Sequence, residues 1–287
     1  MLIIPRELVD GILAPLNKRS LSACTVVCRH WHLSARRLLF RQITILGTSG
    51  THNFTNFIQF LRDSASAHLA QLVESLCLKG WEYVGPGIFI LSYPEITASD
   101  IGFMISRLHR LRAFHLCRVS LRCSTVEADG LASPRSLDEL SLMNIHVPLP
   151  GSQGHIQLSE REQPSSSSVV ELFDKFTTIK MLRMSSIVFF ENYHDPAVSR
   201  SFSEISKLGL RLSDHLRIEG LEYGDESTSF MIDLINNSHQ GPKFLRVLRL
   251  SDTSMLTYDI VKCGGQWIKQ LELNYTTFID EVLSQPL

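Results

Sequence analysis

The strings VESLCL (73–78), LRAFHL (111–116), LDELSL (137–142), IKMLRM (179–184), LRVLRL (245–250) and IKQLEL (268–273) share one spacing, and a worn copy ends in HLRI at 218. In each, apolar residues alternate with others over the last positions, which is the period of a strand with one face in a core. The fourth positions fall at 76, 114, 140, 182, 216, 248 and 271, with gaps of 38, 26, 42, 34, 32 and 23, so the unit repeats without a fixed period. Apolar residues at helical spacing lie between strings: Phe54, Phe57, Ile58 and Leu61; Ile101, Met104, Ile105 and Leu108; Phe230, Met231, Leu234 and Ile235. Helix followed by strand, repeated, predicts parallel strands joined by right-handed crossovers.

Alternation also predicts which side chains leave the core. The residue between the last two apolar positions is Cys77, His115, Ser141, Arg183, Arg217, Arg249 or Glu272. If the strands are neighbours, Arg183, Arg217 and Arg249 form a basic stripe suited to an acidic or phosphorylated segment. The competing reading is a solvated face whose arginines pair with Glu219 and Glu272.

The chain has 287 residues, 44% of them hydrophobic and 20% charged, enough to build a sizeable core. Its net charge of -1 conceals an asymmetry, because residues 1–45 hold seven Lys/Arg against two Asp/Glu and the remainder holds 21 against 27. The six cysteines are scattered, and Pro5, Arg6, Glu7 and Asp10 interrupt any apolar leader, which predicts an intracellular, reduced protein, cytoplasmic or nuclear. The longest apolar run, near GIFIL, is far below the ~20 residues of a bilayer span, so no membrane association is expected.

The first segment is IPRELVDGILAPLNKRSLSACTVVCRHW (4–31). Leu8, Ile12 and Leu16 recur every fourth residue beside Leu13, and Pro15 predicts the end of this helix near Ala14. Ser20 is the expected N-cap of a second helix carrying Leu21, Cys24, Val27, Cys28 and Trp31, which runs into a third. Three helices of this size enclose too little surface to stand alone, so part of their apolar surface is expected to meet another protein.

Ile4, Pro5, Glu7, Leu8, Ile12, Leu13, Leu16, Leu21, Val27, Cys28 and Trp31 stand at the spacing L-P-x-E-L-x-x-x-I-L-x-x-L-x-x-x-x-L-x-x-x-x-x-V-C-x-x-W, and the segment resembles the F-box, over roughly 40 of the 287 residues. The continuation SARRLLFRQITI is similar to the stretch after the box in many fungal F-box proteins. The resemblance implies docking onto the Skp-type adaptor of a cullin-RING ubiquitin ligase, with Ile4, Pro5, Leu8, Ile12, Leu13, Leu16, Leu21, Val27, Cys28 and Trp31 as the adaptor-binding set. Trp31 is expected as an interface anchor or a core residue. Residues 46–287 resemble an irregular leucine-rich repeat array, which implies a curved solenoid of helix–strand units with a parallel sheet. The expected fold class is thus α+β or α/β, with a helical domain at 1–45 and the array at 46–287. His115, Arg183, Arg217, Arg249 and Glu272 are the expected client-binding residues, and the alternative is a scaffold with no degradation role.

Cys24-x3-Cys28-x-His30-x-His32 offers zinc-ligand types, but His30 and His32 point about 200° apart on a helix and no turn closes a tetrahedral site. These residues read better as core cysteines and solvated histidines, with no metal expected. A nucleic-acid reading would rest on Arg36, Arg37 and Arg41, which Leu38, Leu39 and Phe40 interrupt, so no nucleic-acid partner is expected. No nucleophile elbow, phosphate loop, dinucleotide fingerprint or H-E-x-x-H pattern occurs, so neither an enzyme nor a cofactor is expected. Residues 148–168, rich in Pro, Gly and Ser, read as a flexible loop, and residues 79–96 are too aromatic for an idle one.

Overall fold

The strings form strands, which coincide with them in LRVLRL and IKQLEL and run past their C-terminal ends in the others. The structure, a computed structural model, describes residues 5–47, 53–80, 84–85, 88–89, 93–124, 133–147, 168–189, 211–219, 234, 245–250, 262 and 268–273. Helices α1 (Arg6–Leu13), α2 (Lys18–Cys24) and α3 (Arg29–Arg41) lead into β1 (Gln42–Gly47). After α4 (Asn53–Arg62), a short 3-10 turn and α5 (Ala67–Ala70) come β2 (Ser75–Gly80), the small hairpin β3 (Val84–Gly85) and β4 (Ile88–Phe89), and β5 (Glu95–Thr97). Next are α6 (Ala98–Arg107), β6 (Ala113–Arg122), β7 (Arg135–Val147), α7 (Ser168–Phe173), β8 (Phe176–Phe189), β9 (Arg211–Glu219), β10 (Leu245–Leu250) and β11 (Ile268–Leu273).

Among the described residues, one nine-stranded sheet runs β1-β2-β6-β7-β8-β9-β10-β11, with β5 added alongside β6, and every pairing in it is parallel. The fold is therefore mixed α/β with a parallel sheet. The register brings the fourth positions together: Ile43, Leu76, Phe114, Leu140, Leu182, Leu216, Leu248 and Leu271 are successive partners across the sheet. Leu76, Phe114, Leu140, Leu182 and Leu216 of this row are buried, and a one-residue slip would turn them outward, so their burial fixes the pairing of β2 and β6–β9.

The middle of the row lies beneath the helices. Phe54, Phe57, Ile58 and Leu61 of α4 and Ile101, Met104 and Ile105 of α6 are buried in one cluster with Leu76, Phe114, Leu140 and Leu182. The predicted helical periodicity is thus the packed face of α4 and α6. Of the third predicted helix, Leu234 alone lies among the described residues, where it is helical and buried. Helix α7, absent from the sequence expectation, packs on α6 and β6 with Val169, Val170, Leu172 and Phe173 buried. Ser168 belongs to it and donates to the Leu121 carbonyl at 2.8 Å, which corrects the last residue of the expected loop. Residues 148–167 lie outside the described residues.

Strands β6 and β7 turn a corner at the same level. Arg118 (φ 55°) and Asn144 (φ 51°) adopt left-handed backbone between the paired levels Cys117–Met143 and Val119–Ile145. Beyond it the alternation of β6 breaks and Val119, Ser120 and Leu121 are buried in succession. Strand β1 begins directly at the end of α3, so the junction between helices and sheet is Arg41–Gln42 and the 45/46 division falls within β1. Lys18 Nζ donates to the Gln42 carbonyl at 3.0 Å, and Arg41 pairs with Glu74 at 2.8 Å, fastening the helices to the sheet. No helix of the described residues is long and apolar enough to cross a membrane.

Candidate functional site

Two surfaces carry the residues that the sequence singles out. The first is built by α1, α2 and α3. Asn17, not Ser20, caps α2: its side chain accepts from the Ser20 N–H at 2.9 Å. Helix α3 packs on both other helices, and Val9, Leu13, Leu21 and Ala35 form the buried centre, flanked by half-buried Leu16, Cys24, Trp31, Leu38 and Leu39. The buried stripe of α1 is Val9–Leu13, rotated about 100° from Leu8–Ile12. Val9 went unread because the fourfold spacing of Leu8, Ile12 and Leu16 competes with its own spacing to Leu13.

The resemblance set therefore divides. Leu13 and Leu21 are core, and Leu16 and Trp31 pack against that core, so Trp31 serves the internal side of its two expected roles. Pro5, Leu8, Ile12, Val27 and Cys28 are exposed, with Leu8 at 60%, Ile12 at 54% and Val27 at 62%. Ile4 lies outside the described residues. Each of the three large side chains forgoes the ~1.5–3 kcal/mol that full burial would contribute. Leu8 and Ile12 sit one turn apart and present a single outward face.

The zinc-type residues of this region are dispersed. Cys28 is exposed at the N-cap of α3 rather than in the core, and His32 is half-buried and donates from Nδ1 to the Thr25 carbonyl at 2.8 Å. Among the described residues no group of His, Cys, Asp and Glu is placed to hold a metal ion.

The second surface is the sheet face opposite the helices. Thr44, Cys77, His115, Ser141, Arg183, Arg217, Arg249 and Glu272 are successive cross-strand partners, so the middle positions of the strings do form one row. Neighbouring strands lie ~4.8 Å apart, which places Arg183, Arg217 and Arg249 at consecutive steps. Arg183 is exposed, pairs with Glu139 at 3.3 Å and donates to Met181 Sδ at 3.3 Å. Glu139, two residues before Ser141 on the same face, is a partner that the strand alternation made legible although the strings did not single it out. Burial pulls the His115 pKa below its ordinary value; Glu139 opposes that shift and Arg183 adds to it. Burial likewise raises the Cys77 thiol, with Cys117 adding and Lys79 opposing.

At the far end of β6 and β7, Ser120 Oγ lies 3.2 Å from His146 Nδ1, and Tyr93 stacks on the His146 ring at 5.5 Å. With Ser120 buried and its N–H donating to the Pro94 carbonyl at 3.0 Å, this group holds the 93–97 segment against the sheet. Tyr93 is thereby the aromatic of the 79–96 segment whose packing is described. Burial and Arg122 lower the His146 pKa, while Glu95 opposes them. No family model matches the chain, and no curated protein matches it.

Proposed function

We propose that the chain is a non-catalytic substrate receptor of a Skp/cullin/F-box ubiquitin ligase. In this reading α1–α3 form an F-box that docks on the Skp-type adaptor. The helix–strand units form an irregular leucine-rich-repeat-like solenoid whose open sheet face holds a client for transfer of ubiquitin by other subunits. Its contribution is proximity, raising the effective concentration of client at the ligase.

The observation that carries the reading is the exposure of Leu8, Ile12 and Val27 beside a core that already has Val9, Leu13 and Leu21. An outward apolar face on a small helical unit marks a docking surface. Burying ~800 Å² on this side at ~25 cal/mol/Å² exceeds the cost of association. The +5 balance of residues 1–45 suits an acidic partner such as this adaptor. No disulfide joins the five described cysteines, in keeping with the reducing cytoplasm or nucleus where such ligases work.

Co-purification with the Skp-type adaptor tests the assignment. Leu8→Asp and Ile12→Asp abolish the complex while leaving thermal unfolding within a degree or two, because both side chains are exposed. Retention of the complex by both variants removes the basis of the reading. Trp31→Ala is a poor probe, since it opens the helical core as well. For the client, Arg217→Glu combined with Arg249→Glu is expected to abolish capture with the adaptor complex intact. Adaptor binding without any protein whose lifetime lengthens on removal of this chain would favour a scaffold instead.

A further inference from the structure

We infer that the cleft enclosed by α1, α3, α5 and the turn between α6 and β6 is a receptor site for a compact polyanion, a small molecule carrying two or more phosphate groups. The cleft has a volume of about 450 Å³ and is lined by Arg6, Arg36, Arg37, Arg110 and His68. Such a volume is in the range of small-molecule sites. The inference is independent of the docking reading, since none of these residues belongs to the exposed apolar face.

The four guanidinium groups come from three separate parts of the chain. Arg6 opens α1, Arg36 and Arg37 lie on the face of α3 turned away from Ala35, Leu38 and Leu39, and Arg110 sits in the turn between α6 and β6. No carboxylate lines the cleft among the described residues. Asp10 reaches Arg37 at 3.8 Å, and Arg36 Nη2 meets His68 Nε2, which carries no negative charge to offset the guanidinium. Arg6 and Arg110 make no hydrogen bond or ion pair among the described residues. Converging like charges repel one another, and a bound anion reverses that sign.

The residue types and dimensions select the ligand. Every permanent cation in the lining is arginine, whose planar fork grips phosphate oxygens in pairs. A cleft of about 450 Å³ is only about 9 to 10 Å across if compact. An extended peptide directs side chains to one side about every 7 Å, so it would place only about two carboxylates in that span. A phosphate brings nearly two charges on one small group, so two or three of them match four arginines. Leu33, 62% exposed, and Leu72 supply an apolar wall for the carbon framework joining the phosphates.

Titration calorimetry of the full chain with inorganic tripolyphosphate, at near-physiological ionic strength, tests the site. One equivalent is expected to bind, about tenfold more weakly in Arg6→Ala and in Arg110→Ala, and about a hundredfold more weakly in the double variant. Both side chains are exposed, so the ligand-free thermal midpoint stays level or rises as repulsion is relieved. Arg19→Ala, an exposed arginine outside the cleft, is expected to bind as the parent does. Equal binding by parent and double variant overturns the site, and so does an equal loss in Arg19→Ala, which would make the interaction one of general charge. Tighter binding of hexaglutamate than of tripolyphosphate overturns the ligand class in favour of an acidic peptide.

Discussion

At Gly80 the next strand leaves no room for a side chain. A Cβ built there lies 1.9 Å from the Arg118 carbonyl oxygen, a backbone atom that cannot swing aside. Gly80→Ala is therefore expected to cost about 2–4 kcal/mol in urea unfolding, and a loss below about 0.5 kcal/mol would show that the corner is not packed this way. One strand further on, Asn144 holds its left-handed backbone at φ 51°, a conformation Asn tolerates and β-branched residues do not. Asn144→Val should cost about 1–2 kcal/mol, whereas Asn144→Gly should be neutral or better. Two histidines set a pH dependence. Burial lowers both His115 and His146 below 6.5, so the unfolded chain binds more protons than the folded one just under that pH. Their contribution is fully present above 6.5 and is lost as pH falls through the folded values. Unfolding midpoints measured at falling pH should decline from that point, and less steeply in the variant carrying both His115→Gln and His146→Gln; an unchanged slope would assign the decline to other groups.

At the scale of elements, α6 is held by its ends. Thr97 Oγ1 accepts from the Asp100 N–H at 3.0 Å and donates to the Asp100 carboxylate at 2.8 Å, capping the first turn. At the other end Arg135 Nη1 donates to the carbonyls of Ile105 and Leu108, both at 2.9 Å, and Nη2 donates to that of His109. The Ile105 carbonyl belongs to the last turn, whose acceptors a helix leaves unpaired, the Leu108 carbonyl also accepts from the Leu111 N–H, and a cation there meets the negative end of the dipole. Arg135 stands in β7, so one side chain ties the crossover helix to the strand beyond its neighbour. Arg135→Ala should cost about 1–3 kcal/mol in chemical denaturation, and Arg135→Lys should recover only part, having no fork to span separate carbonyls. Equal stability of Arg135→Ala and the parent would show that water replaces the clamp.

For the whole molecule, the parallel sheet adds strand after strand in nearly sequential order, and the N-terminal helices are attached at its β1 end through the Arg41–Glu74 pair and the Lys18 bond to Gln42. If the basic first segment meets an acidic adaptor as proposed, charge acts mainly during encounter. Association measured by stopped flow should then slow severalfold or more between low and near-physiological salt, with little change in the dissociation rate. A dissociation rate that carries the salt dependence instead would place the charges inside the contact.

The positions of β2 and β6–β11 and the alternation from Cys77 to Glu272 were legible because the L-x-L pattern is local, whereas the adjacency of the strands stood only as a condition and β1 and β5, which carry no such string, were not read. Helices α4 and α6 were legible for the same reason at their own period. Helix α7 was masked by the neighbouring serine run, and the corner at Arg118 and Asn144 by residues that carry no glycine signal. On α1 two overlapping stripes, Leu8–Ile12 and Val9–Leu13, are both apolar, and only the approach of α3 decides which is buried and which stays exposed. The arginine cleft is likewise tertiary, since Arg6, Arg36 and Arg110 share no period and meet only where α1 and α3 come up against α5 and the turn between α6 and β6. Periodicity determines what each segment turns inward; the packing of distant segments against one another determines what they turn outward together.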